Sequence, residues 1–208
     1  MDAKVCGIKD IETAVYTANK GAKAIGFVFA ESKRRISPAQ AAEIIKELPD
    51  QILKVGVFVN ESKETIERII EETGINAVQL HGEESPSFCE AFSVPVIKAF
   101  SVGKKEDLEI IRDYTCEYIL LDSPKGQYRG GNGISFDWSI LKGNDFKGKK
   151  LILAGGLNEQ NVLTAIQEVH PYMVDVSSGV ETNGVKDLNK IDGFLSIVRD
   201  AEKKEDIS

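Results

Sequence analysis

The chain has 208 residues, of which 42% are hydrophobic and 28% charged, and its net charge is -7. That is the make-up of a soluble globular protein, long enough to bury a core without disulfide or metal staples. There is no basic patch beyond Lys33-Arg34-Arg35, which argues against a nucleic-acid partner, and no apolar run nears the ~20 residues of a membrane span.

Apolar, β-branched runs alternate with helical patterns from the start. The first run, residues 4–7, ends at Cys6-Gly7. The second, residues 24–29, is followed by Ser37-Pro38-Ala39-Gln40, a cap residue before proline at the first helical position. The third spans residues 53–59, and behind it Ser62-Lys63-Glu64-Thr65 opens a stretch with Ile66, Ile69 and Ile70 at helical spacing. Residues 77–80, 94–100 and 118–122 form the fourth, fifth and sixth runs, the fourth followed by His81 and the sixth ending in Asp122. Residues 123–133, rich in Gly, Ser and Pro, read as a loop. The seventh run, residues 150–154, leads into Gly155-Gly156, and Asn158-Glu159-Gln160-Asn161 begins a helix with Val162, Ala165, Ile166 and Val169 on one face. The eighth, residues 173–176, runs into Ser177-Ser178-Gly179.

Near-continuous apolar runs mark parallel strands covered on both faces. Eight βα pairs in this length predict a (β/α)₈ TIM barrel, one α/β domain over residues 1–208, near that fold's lower size of ~200 residues. An open doubly wound sheet fits less well. No G-x-G-x-x-G follows the first strand, and Gly130-Gly131-Asn132-Gly133 is preceded by loop.

In a barrel of this kind all eight strand ends meet on one rim, where active sites are built. Cys6 is either an inert buried thiol or, at a strand end before glycine and a helix start, a group that ionises. Asp122 either caps the next turn or forms an acid–base pair with that thiol across the mouth. Gly155-Gly156 and Ser177-Ser178-Gly179, after strands seven and eight, are either ordinary tight turns or a phosphate site made of backbone N–H groups. The Lys33-Arg34-Arg35 triplet is a solvated cluster or a carboxylate clamp. Asp175, a charge inside an apolar strand, is a satisfied structural acid or part of the site, and His81 is open in the same way. Residues 123–133 would lie over the mouth. Three unpaired cysteines and no leader-like amino terminus point to a reducing, cytoplasmic setting, and no Cys or His cluster has metal spacing.

Taken together the segments resemble the phosphoribosylanthranilate isomerase family of tryptophan biosynthesis. The resemblance is carried by Lys4-Val5-Cys6-Gly7-Ile8, Ser32-Lys33-Arg34-Arg35-Ile36-Ser37-Pro38, Val78-Gln79-Leu80-His81-Gly82, Leu120-Leu121-Asp122, Phe136-Asp137-Trp138, Leu153-Ala154-Gly155-Gly156-Leu157 and Val174-Asp175-Val176-Ser177-Ser178-Gly179-Val180-Glu181. It implies an Amadori rearrangement of an aminoaldose phosphate to an aminoketose phosphate. Asp122 would be the general acid, Cys6 the general base and Arg34 the holder of the anthranilate carboxylate, with the two late glycine turns on the phosphate. It further implies no metal or organic cofactor, a phosphorylated small molecule as partner, and a monomer or homodimer.

Overall fold

The computed structural model of the chain describes residues 1–124 and 137–205. The expected loop over residues 123–133, with Gly130-Gly131-Asn132-Gly133, falls almost wholly outside the described residues. Eight strands run parallel and close on one another in chain order: β1 (Asp2–Cys6), β2 (Ala24–Val28), β3 (Leu53–Phe58), β4 (Ala77–Leu80), β5 (Val96–Ser101), β6 (Tyr118–Asp122), β7 (Lys150–Leu153) and β8 (Met173–Val176). The last strand pairs with the first, Lys4 opposite Asp175, which closes the barrel.

Alternation along each strand divides the apolar residues between two cores. Ala24, Val55, Ala77, Ile97, Ala99, Leu120, Ile152 and Met173 fill the barrel interior. Val5, Phe27, Phe58, Val78, Leu121 and Val174 belong to the larger core outside it, with Ala14, Ile44, Ile66 and Ile166 from the surrounding helices. Both faces being covered is why the strands read as unbroken apolar runs.

The helices start where local chemistry directs. Ser37 caps α2 (Pro38–Lys46) through a capping box with Gln40, and Ser62 caps α3 (Lys63–Thr73). The helix after β7 differs from expectation. It begins at Val162, not Asn158, as α5 (Val162–Val169). Asn158 and Asn161 both donate side-chain hydrogen bonds to the Gly156 carbonyl, which holds residues 158–161 as a turn. The other helices are α1 (Ile11–Asn19), α4 (Pro86–Cys89) and α6 (Leu188–Glu205). The connection after β5 is a 3-10 run, Lys105–Asp113, and α4 is a single turn, so the barrel's outer ring is thin on that side. No described helix is long and apolar enough to cross a membrane.

Candidate active site

The inward strand ends enclose a cavity of about 350 Å³, walled by Cys6, Val28, Arg34, Val57, Gln79, His81, Asp122, Asp175 and Ser177 among others. Thiol, carboxylate, imidazole and guanidinium from four distant segments are thus brought to one place. Gly155, Gly156, Ser178 and Gly179 lie at the adjoining turns after β7 and β8 and do not wall this cavity. Those two turns pack directly on each other. A side chain at Gly179 would run into the Leu157 carbonyl.

Cys6 is buried at the end of β1. Its neighbour across the β1–β2 ladder is Gly26, where an added Cβ would come within 2.7 Å of the Cys6 sulfur. Two residues earlier on the same face, Lys4 is wholly buried and donates to Asp175 Oδ1 at 2.9 Å. Burial pushes the Cys6 thiol above its ordinary pKa, and Asp175 adds to the rise, while Lys4 and Lys186 pull against it. The ammonium of Lys4 is held charged against its burial by Asp175 and by Cys6 itself.

Asp122 ends β6 with Oδ1 accepting from the Ser123 N–H at 2.8 Å and Oδ2 standing 3.5 Å from His81 Nε2. His81 is oriented from behind, its Nδ1 being 3.3 Å from Gln79 Nε2. Gly155 has φ +84°, and a Cβ there would sit 2.5 Å from the Ser123 nitrogen and 3.1 Å from Asp122 Oδ1. The glycine after β7 therefore has a definite task beyond any ligand: it lets the Asp122 turn close in.

Arg34 is nearly buried, and its guanidinium is already engaged. Nε donates to Glu181 Oε1 at 2.6 Å and Nη2 to Glu181 Oε2 at 2.9 Å. Lys186 donates to the same Glu181 Oε1 at 2.9 Å and to the Ser177 carbonyl at 2.9 Å, and Ser177 Oγ donates to the Cys6 carbonyl at 3.0 Å. Burial works against the Glu181 carboxylate, but Arg34 and Lys186 hold its pKa below the ordinary value. Burial pulls the pKa of Lys186 down, opposed by Glu181. Among the described residues no three His, Cys, Asp or Glu side chains are grouped as a metal site requires.

Residues 3–196 match the family model described as N-(5'-phosphoribosyl)anthranilate (PRA) isomerase. The chain belongs to the N-(5'-phosphoribosyl)anthranilate isomerase family. A family member from Bacillus mycoides is 51% identical over 205 residues, covering 98% of this chain and all of that one. The crystal structure of phosphoribosyl anthranilate isomerase from Thermotoga maritima superposes with a TM-score of 0.90 at 43% identity, covering 96% of this chain and 99% of that one. Another family structure, described in complex with reduced 1-(o-carboxyphenylamino)-1-deoxyribulose 5-phosphate, gives a TM-score of 0.86 at 41% identity, with 96% and 99% covered.

Three residues that shape this candidate site carry no role in the sequence reading: Lys4, Glu181 and Lys186. Lys4 was masked by its place in an apolar strand. Glu181 and Lys186 belong to a small hairpin, β9 (Glu181–Thr182) and β10 (Val185–Lys186). Its turn, Asn183-Gly184, has positive φ at both residues, 53° and 79°. Asn-Gly is the standard sequence signal for such a turn and was there to be read.

Proposed function

We propose that Cys6 and Asp122 are the base and acid of an Amadori rearrangement at this barrel mouth, with Arg34 as the clamp on the anthranilate carboxylate. The chain is an isomerase of tryptophan biosynthesis that converts N-(5'-phosphoribosyl)anthranilate to 1-(2-carboxyphenylamino)-1-deoxyribulose 5-phosphate. The observation that carries the assignment of roles is that thiol and carboxylate, 116 positions apart in sequence (6 and 122), wall one cavity together with the one buried arginine of the Lys33-Arg34-Arg35 triplet.

The chemistry follows from these groups. Asp122 gives a proton to the ribose ring oxygen, the C1′–O bond breaks, and the anilino nitrogen lone pair forms a C1′=N⁺ iminium. The iminium makes the C2′ hydrogen acidic. The Cys6 thiolate removes that proton, and the C–H electrons form the enolamine. Protonation at C1′ and loss of the enol proton give the ketone. A positioned acid or base contributes roughly 10²–10⁴-fold to such steps. The protonated imine is itself the electron sink, so the chemistry needs no further electrophile.

The phosphate is assigned to the packed turns Gly155-Gly156 and Ser177-Ser178-Gly179, which lie after β7 and β8 where barrel enzymes commonly bind phosphate. Asp175 acts on the site through Lys4, and His81 through Asp122, with both also facing substrate. The reading extends to residues 1–208 as one catalytic domain, cytoplasmic, working as a monomer or homodimer without a cofactor. Following the loss of anthranilate fluorescence of the substrate, in chelator and without added metal, tests it. Wild-type turnover with none in Cys6→Ser and Asp122→Asn is the expected result, and undiminished turnover in either variant refutes the role given to that residue.

A further inference from the structure

Among the described residues, Arg34 is held on one edge of its guanidinium. Glu181 accepts from Nε and from one N–H of Nη2, a fork-to-fork pairing that uses two of the five guanidinium donors. The stem is fixed as well. Gly7 has φ +83°, and a Cβ there would come within 2.6 Å of Arg34 Cδ, while the Arg34 N–H donates to Ser32 Oγ at 3.1 Å. The guanidinium therefore has little freedom, and the edge formed by Nη1 and the second N–H of Nη2 stays unengaged by Glu181.

Charge decides what Glu181 is for. Two cations, Arg34 and Lys186, share the one Glu181 carboxylate. The cluster of three keeps one positive charge. Arg34 walls the cavity, whereas Glu181 and Lys186 do not. The surplus charge is thus presented to ligand through Arg34. A carboxylate acting alone on Arg34 would have cancelled its charge and left no net attraction for an incoming carboxylate. Lys186 removes that objection.

We propose that Glu181 is the positioning residue of the carboxylate clamp: it grips the Nε edge of Arg34 so that the opposite edge is preset for the substrate's aromatic carboxylate, while Lys186 offsets the charge of Glu181. The inference rests on Arg34 being the clamp. It also links the clamp to the β8 turn, because Lys186 donates to the Ser177 carbonyl.

The test uses two ligands: reduced 1-(2-carboxyphenylamino)-1-deoxyribulose 5-phosphate, and its counterpart lacking the ring carboxyl. Binding of each is measured by calorimetry to wild type, Arg34→Ala, Glu181→Gln and the double variant. Glu181→Gln should weaken the carboxylated ligand on the order of 10- to 100-fold and leave the other within about twofold, with the double variant no weaker than Arg34→Ala. Tighter binding in Glu181→Gln would make Glu181 a competitor for Arg34, and equal losses on both ligands would make it a packing residue. Either outcome overturns the proposal. If Arg34→Ala itself fails to discriminate the two ligands, the clamp assignment falls first and the inference with it. Should Glu181→Gln not fold, Glu181→Asp keeps the charge but retracts the fork by one methylene, and unchanged carboxylate selectivity there overturns the proposal equally.

Discussion

The Lys4 ammonium lies 2.9 Å from Asp175 Oδ1, inside the barrel and one inward position before Cys6 on the same strand. The thiol proposed as base therefore sits above a buried ion pair whose members act on it in opposite directions. Lys4 favours the thiolate, Asp175 disfavours it, and burial has already raised the thiol pKa. Alkylation of Cys6 by iodoacetamide should rise with pH, with its midpoint above the ordinary thiol value. Lys4→Met should move that limb to higher pH and Asp175→Asn to lower pH. Each variant strands one buried charge, so each should also lose about 3–5 kcal/mol of stability, measured by urea unfolding. No shift of the limb in Lys4→Met, or a shift to lower pH, would remove Lys4 from the control of Cys6.

Asp122 has one oxygen committed to the Ser123 N–H and the other beside His81. The shape of the site is thus kept by asparagine, while the proton is not. Asp122→Asn should lose turnover by roughly 10²–10⁴-fold and bind the reduced product analogue nearly as before. His81→Asn tests whether the imidazole serves Asp122. A fall in kcat larger than the rise in KM is expected, because His81 stands beside Asp122, the proposed acid. A change confined to KM would leave His81 as a substrate contact alone, with no part in supporting Asp122.

The parts of this architecture legible in the chain are those with a periodic signal. All eight strands stand within two residues of their expected bounds, because a strand buried on both faces writes an unbroken apolar run. Ser37 and Ser62 mark their helices because a cap is a local event. Asn158 misled, since Asn can cap or turn, and here the Gly156 carbonyl draws two asparagine side chains and holds a turn. The strand ends Cys6 and Asp122 were readable as a pair only once the barrel was assumed. The Arg34–Glu181–Lys186 cluster was not, because its three charges are separated by up to 152 positions (34 to 186), and nothing periodic connects them.

Gly26 gives a test of the thiol's placement that leaves every charge intact. A methyl at residue 26 would meet the Cys6 sulfur at 2.7 Å, closer than any relaxed contact. Gly26→Ala should displace the thiol and lower kcat by about 10²-fold, with circular dichroism unchanged. Gly143, whose added Cβ meets nothing within 4 Å, lies far from the cavity walls but has φ +72°, so Gly143→Asn is the suitable control and should leave kcat as it is. Equal activity of Gly26→Ala and wild type would show that the sulfur's position is not critical.

Arg34 and Arg35 are adjacent, yet the structure separates them. The Arg34 side chain is 11% exposed and grips Glu181, whereas that of Arg35 is 61% exposed and meets Glu31 at 3.3 Å. Arg34→Ala should cost on the order of 2–5 kcal/mol in kcat/KM, and Arg34→Lys should restore only part, since lysine has no fork. Arg35→Ala should be near neutral. Damage in Arg35→Ala without damage in Arg34→Ala would mean that the clamp is the other arginine.

Outside the barrel, Glu84 and Lys98 make a buried pair that secures the loop following His81. Lys98 Nζ donates to Glu84 Oε2 at 3.0 Å and to the Gly82 carbonyl at 2.9 Å, and the Asn60 N–H donates to Glu84 Oε1 at 2.8 Å. Burial pushes the Glu84 pKa up, but the Asn60 N–H and Lys98 more than offset it, and the folded value lies below the ordinary 4.5. A depressed carboxylate stabilises the fold fully above its unfolded value, and that contribution is lost as pH falls through the folded value. Wild type should therefore lose stability steadily below about pH 4.5 in urea titrations. Glu84→Gln should be less stable at pH 7, by about 3–5 kcal/mol because Lys98 is left without its carboxylate, and should show a shallower loss on acidification. The two stability curves should converge at low pH, where the wild-type carboxyl is also protonated. Parallel curves from pH 7 to pH 3 would show that Glu84 titrates alike in the folded and unfolded chain, so that its ionisation contributes nothing to holding the loop behind His81.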